Sequence, residues 1–262
     1  LVRKENTDMS TTLFDLSGKV AVVTGGNGGI GLGIATGLAQ AGAAIIIAAR
    51  NAEKSDLAVR SLEKAGLRAM ALTVDVQDET SVRDMVREAS QAFGHIDILV
   101  NNAGISVVNM PENCSLDEWQ QVMNINLNGA FLCSREVYPY MKAEGGGKII
   151  NLGSLTSIFG HPFIAAYAAS KGAVVQLTKS LAIAWAKANI QVNAILPGWI
   201  ETDLTALTKQ MPEYYAATIA RIPQERWGQP SDLAGTVVFL ASKASDYVTG
   251  IALPVDGGYA AM

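Results

Sequence analysis

Tyr167 and Lys171 stand four residues apart, and Ser154 lies thirteen residues before the tyrosine. Residues at i and i+4 share a helix face, so a phenol and an ammonium at this spacing meet without a loop having to close. A free tyrosine titrates near ~10, and a nearby cation is one of the few ways to favour its phenolate. Such a pair suits proton transfer to or from a substrate oxygen. The segment Phe163 to Lys187 reads as the carrying helix, because Ala165, Ala166, Ala168, Ala169, Ala173, Leu177, Leu181 and Trp185 are mostly helix formers and Pro162 sits near its start. Taken alone, the spacing more often marks an ordinary solvated helix face than a catalytic pair.

A second feature lies near the other end of the chain. Lys19-Val-Ala-Val-Val-Thr24 reads as a short buried strand and runs into Gly25-Gly-Asn-Gly-Gly-Ile-Gly31, followed by a helix-like stretch from Leu32 to Gln40. Glycines permit positive φ and close backbone approach, while a helix N-terminus offers free N–H groups and partial positive charge to a pyrophosphate. No lysine follows the glycines as a P-loop requires. The turn therefore predicts dinucleotide binding, with a ligand-free tight turn as the alternative.

Stepping along the chain, candidate strands at Ala44–Ala48, Ala69–Val74, Ile96–Val100, Lys148–Leu152, Gln191–Ile195 and Ile251–Pro254 join the first. They alternate with helices predicted at Glu53–Lys64, Glu79–Phe93, Leu116–Met141, Phe163–Lys187 and Ser231–Ala241. Alternation of this kind specifies an α/β fold with a parallel sheet and right-handed crossovers. At 262 residues and 49% hydrophobic, the chain can bury a sizeable core as one domain.

These motifs, in their order, resemble the short-chain dehydrogenase/reductase family in its short single-domain branch. The likeness covers Leu16 to Gly258 through the glycine turn, Asp75-Val76, Asn101-Asn-Ala-Gly104, Asn126-Leu-Asn-Gly129, Ser154, Tyr167-x-x-x-Lys171, Pro197-Gly198 with Thr202, and Asp256-Gly-Gly258. The resemblance implies a Rossmann fold, a doubly wound seven-stranded parallel sheet with helices on both faces, as a single catalytic domain over residues 13–262. Residues 1–12 are expected to form a flexible extension, and 202–228 resembles the family's substrate lid. The implied reaction is hydride transfer between nicotinamide C4 and a carbonyl or secondary alcohol. Tyr167 is then general acid or base, Lys171 lowers its pKa and bonds the nicotinamide ribose, Ser154 holds the substrate oxygen, and Asn126 holds a water leading to Lys171.

By the same resemblance the cofactor lies against Gly25, Asn27, Gly28, Gly29, Ile30, Gly31, Asp75, Val76, Asn102, Ala103, Gly104, Tyr167, Lys171, Pro197, Gly198, Ile200 and Thr202. Asp75 also reads as a turn or cap residue, and Asn101 as a tie between strands. A site that prefers NAD carries a carboxylate at the end of the second strand; here Ala49 stands there, followed by Arg50 and Asn51. A guanidinium grips phosphate, so NADP is expected, with Arg50 and Asn51 at the 2′-phosphate and NAD as the less favoured cofactor. The family's other NADP signal, a basic residue inside the glycine turn, is missing, since Asn27 and Gly28 stand there.

The formal charge of −4 and scattered Lys and Arg give no basic stripe, so nucleic acid is not an expected partner. Cys114 and Cys133 make neither a disulfide framework nor a metal site, and read as packing residues in a reducing compartment. No signal peptide or membrane span is apparent, so a cytoplasmic enzyme is expected. His161, between Ser154 and Tyr167, is a candidate for a substrate hydroxyl or carboxylate, with a taskless loop histidine as the alternative. Leu13–Lys19 and Ala184–Lys187 are similar to the family's sugar-acid dehydrogenases, which act on gluconate or deoxygluconate; a small polyol, sugar acid or ketone is the expected substrate. A 3-oxoacyl-[acyl-carrier-protein] reductase shares the motif set, and a non-catalytic dinucleotide sensor shares the fold. The family is commonly homotetrameric.

Overall fold

The structure is a computed structural model that describes residues 13–262; the extension expected over 1–12 lies outside the described residues. Strands β1 (Val20–Thr24), β2 (Ala44–Ala49), β3 (Ala69–Thr73), β4 (Ile98–Asn101), β5 (Gly147–Leu152), β6 (Ile190–Pro197) and β7 (Ala252–Val255) form one sheet in the order β3-β2-β1-β4-β5-β6-β7. Every pairing is parallel. Continuous apolar runs make this possible: all six residues of β2 are buried, as a strand covered on both faces requires.

The two-residue period of the strands sorts the core. Val20 and Val22 of β1 point to one face, beneath helices α3 (Glu79–Phe93), α5 (Gly129–Ala143) and α6 (Ala165–Trp185). Ala21 and Val23 point to the other, beneath α1 (Gly29–Gln40), α2 (Ala52–Lys64) and α9 (Ala234–Ala241). Three more helices, α4 (Leu116–Met123), α7 (Ala206–Lys209) and α8 (Pro212–Ala220), complete the described set. The fold is thus the doubly wound Rossmann arrangement expected from the sequence.

Boundaries differ from expectation at two helices. The single helix expected over Leu116–Met141 is interrupted by a π-helical segment, Asn124–Asn128, with Asn126 buried inside it. Such bulges arise where a helix accommodates one extra residue. The last helix also starts late, because Pro230–Leu233 is a 3₁₀ turn leading into α9.

Candidate active site

The strand order reverses between β2 and β4, which both flank β1, and the crevice at that reversal is where doubly wound sheets bind ligands. The glycine turn leaves β1 there. Gly25 and Gly29 have φ of 64° and 49°, a region that disfavours side chains. A Cβ at Gly31 would lie 2.3 Å from the Gly25 carbonyl oxygen, so the turn closes only around a bare backbone. Asn102, after β4, ties the turn down: its Nδ2 donates to the Thr24 and Gly25 carbonyls at 2.9 and 3.1 Å. Thr24 Oγ1 accepts from the Asn102 and Ala103 N–H groups.

Asn101 points the other way. Its Nδ2 donates to Asn151 Oδ1 at 2.8 Å and to Ser134 Oγ at 2.9 Å, joining β4 to β5 and α5 as a strand tie. Asp75 Oδ1 accepts from the Gln77 N–H, which matches the turn reading of this residue. Val76 is buried against the N-terminus of α5, where a Cβ on Gly129 would lie 2.7 Å from Val76 Cγ2.

Ser154 and Tyr167 meet beyond the end of β5, their side chains hydrogen-bonded to each other. Ser154 follows β5 and caps the 3₁₀ turn Leu155–Ser157, its Oγ accepting from the Thr156 N–H at 3.2 Å. Ser157 Oγ donates to the Lys171 carbonyl at 2.8 Å, locking this turn to α6. Lys171 is buried at 4% exposure, and its Nζ donates to the Leu152 carbonyl at 2.6 Å. That amine lies 5.6 Å from the Tyr167 ring centroid, so the spacing does bring the two groups together.

The electrostatics of the pair differ from expectation. Burial pushes the Tyr167 phenol above its ordinary value, and the adjacent Ser154 hydroxyl opposes that shift. The same burial brings Lys171 down to about 8. Desolvation, which penalises every charged form, is the largest influence on both groups here.

Asn126 joins three parts of the site. It exchanges two hydrogen bonds with the backbone of Ile105 and donates through Nδ2 to Ser170 Oγ at 3.0 Å. Ser170, a residue not singled out from sequence, donates to the Tyr167 carbonyl at 2.7 Å. Its small polar side chain in an alanine-rich stretch was the only available signal. Beside this group, a Cβ at Gly104 would lie 3.2 Å from Asn126 Oδ1 and 3.6 Å from Lys171 Nζ. Glycine therefore keeps a side chain out of the position next to the Lys171 amine, where the ribose of a dinucleotide is expected.

Thr202 lies over Gly29, whose Cβ would sit 3.4 Å from Thr202 Cγ2, although 173 residues separate them. Pro197 ends β6, and Gly198 packs on Asp256, which accepts from the Gly258 and Ala260 N–H groups. Ile200 is buried. Arg50 is exposed at the end of β2, and among the described residues no carboxylate pairs with it. Asn51 caps α2, its side chain accepting from the Lys54 N–H at 2.9 Å, and Asn27 Nδ2 reaches Ser55 Oγ.

His161 is half-buried and its Nε2 lies 2.9 Å from the Tyr214 hydroxyl of α8. The segment after Thr202 packs aromatic rings on Trp199, which precedes it: Trp227 stacks on Trp199 at 5.2 Å and Tyr214 meets it edge-on at 6.0 Å. Cys133 is buried with its thiol pushed up to about 12, as a packing residue's would be. Among the described residues no cluster could hold a metal ion, and no helix is long and apolar enough to cross a membrane.

Comparison with known proteins agrees with this geometry. A family model described as enoyl-(acyl carrier protein) reductase matches residues 25–260. The chain is 42% identical over 254 residues to the 2-dehydro-3-deoxy-D-gluconate 5-dehydrogenase of Escherichia coli (strain K12), covering 97% of this chain and 100% of that one. It is also 42% identical to the 5-keto-D-gluconate 5-reductase of the same strain, covering 94% and 97%. A crystal structure of a gluconate 5-dehydrogenase from Burkholderia cenocepacia J2315, in complex with NADP and tartrate, superposes with a TM-score of 0.94 at 42% identity, covering 97% of this chain and 99% of that one.

Proposed function

Because the chain belongs to the short-chain dehydrogenase/reductase family, we propose that it interconverts a secondary alcohol and a ketone on a small sugar acid or polyol, with NADP preferred over NAD. The observation that carries this reading is the convergence of Ser154, Tyr167 and Lys171 beside Gly104, backed by Asn126. When bound, the dinucleotide supplies hydride acceptance and donation at nicotinamide C4.

The chain's own residues handle the oxygen and its proton. Ser154 and Tyr167 present two hydroxyls to the substrate oxygen and fix it. In oxidation Tyr167 takes the proton from the alcohol oxygen; in reduction it returns one. A phenol held above its ordinary value is protonated at neutral pH and ready to donate. In the opposite direction the Lys171 ammonium and the Ser154 hydroxyl favour the phenolate. Lys171 also lies beside Gly104, where the ribose hydroxyls are expected, and Asn126 lies against the same glycine.

The NADP preference rests on Arg50, which among the described residues has no carboxylate partner and which follows Ala49 rather than an acid. The sugar-acid assignment rests on the relatives, whose names specify gluconate-type substrates. The segment 202–228 closes over the substrate as a lid, joined to the loop around His161 through Tyr214. A homotetramer fits the exposed apolar residues Leu116, Trp119, Phe131 and Ile183 on α4, α5 and α6. A cytoplasmic location fits the free cysteines.

A second reading, reduction of a carrier-linked acyl group, is favoured by the description of the matching family model. A panel of gluconate-type acids, polyols, ketones and acyl thioesters with both cofactors, followed by nicotinamide absorbance, decides between them. Turnover of 5-keto sugar acids with NADPH supports the proposal; turnover confined to acyl thioesters, or a higher kcat/KM with NADH, overturns it.

A further inference from the structure

We propose that Lys54 is a second cation for the cofactor's 2′-phosphate, delivered to the glycine turn from α2. The inference rests on the NADP preference argued above. The turn has no charge of its own: Gly26, Asn27 and Gly28 separate Gly25 from Gly29, and the Asn27 amide is engaged with Asn51 and Ser55. Lys54 fills the gap. A Cβ on Gly28 would lie 2.9 Å from Lys54 Nζ and 3.0 Å from its Cε, so the end of the lysine lies directly against the bare glycine of the turn.

Two further observations make the ammonium available to a phosphate. Lys54 starts from a fixed place, because its backbone N–H is held by Asn51 Oδ1, next to Arg50. Its ionic partner is Asp203 at 3.4 Å, with the lysine side chain half-exposed and the aspartate side chain 95% exposed. An ion pair so open to water contributes little, and a phosphate dianion between Lys54 and Arg50 is a stronger partner than one solvated carboxylate. Asp203 follows Thr202, which sits over Gly29, so the lysine stands between the turn and the first residues of the lid. NAD has a hydroxyl where NADP has the phosphate, so Lys54 should discriminate between the two.

The test is a binding titration, read by tryptophan fluorescence, of NADP⁺ and NAD⁺ against the wild type, Lys54→Met and Lys54→Arg. Loss of one charge-assisted contact should raise the Kd of Lys54→Met for NADP⁺ roughly tenfold or more. The Kd for NAD⁺ should stay within about twofold, and Lys54→Arg should bind NADP⁺ nearly as the wild type does. Equal weakening with both dinucleotides would assign Lys54 to the pyrophosphate or to folding and overturn the proposal. So would unchanged NADP⁺ binding in Lys54→Met when the wild type prefers NADP⁺. A wild type that binds NAD⁺ more tightly would overturn the cofactor reading beneath it.

Discussion

Asn126 and Ile105 exchange a pair of hydrogen bonds, the Ile105 N–H donating to Oδ1 and Nδ2 donating to the Ile105 carbonyl, each at 2.9 Å. A side-chain amide thus completes a backbone-like pairing between the π segment and the chain after β4, and so fixes the wall facing Lys171.

Replacing Asn126 with Ala leaves both Ile105 groups and the Ser170 hydroxyl without this partner. Unpaired polar groups in a largely buried setting cost about 2–4 kcal/mol in total. Urea unfolding should show a loss of that size together with a fall in kcat. A variant as stable and as active as the wild type would remove Asn126 from the account.

Lys171 makes stability depend on pH in a defined direction. In the fold its pKa is brought down to about 8 by burial, whereas an unfolded chain holds the proton up to ~10.4. Between those values the unfolded state binds more protons, so the contribution of this group to stability rises with pH above about 8 and is flat below it. Relative to Lys171→Met, the wild type should therefore gain up to ~1.4 kcal/mol per pH unit between about 8 and 9.5. A difference in unfolding free energy that does not vary with pH would contradict the burial of a charged amine here.

His161 joins the loop after Ser154 to Tyr214 on α8. Burial lowers its pKa, so the ring is neutral at neutral pH and bonds the Tyr214 hydroxyl as a neutral partner. Tyr214→Phe loses that bond while keeping the ring against Trp199. KM for the substrate should rise about three- to tenfold, as one neutral hydrogen bond allows, with dinucleotide affinity unchanged. An unchanged KM would return His161 to the reading of a loop histidine without a task.

Much of this was legible in the sequence because it rests on periodicity and local spacing. The apolar runs of β2 and β4, the strand–glycine–helix passage at Thr24 to Gly31, and the four-residue interval from Tyr167 to Lys171 each fix a local geometry. What stayed hidden depends on long-range packing. The π segment at Asn126 holds a side chain that bonds Ile105 and Ser170, 21 and 44 residues away. Lys54 reads as one more charge on an amphipathic helix until Gly28 and Asp203 are brought to it. The raised Tyr167 pKa is hidden for the same reason: spacing announces the neighbouring cation, whereas burial is set by the whole fold.

The central claim is that Tyr167 carries the proton. Tyr167→Phe removes the hydroxyl and keeps the ring, so dinucleotide binding measured by fluorescence should match the wild type while hydride transfer, followed by nicotinamide absorbance, falls at least ~10³-fold. Turnover within about tenfold of the wild type, with binding intact, would contradict it.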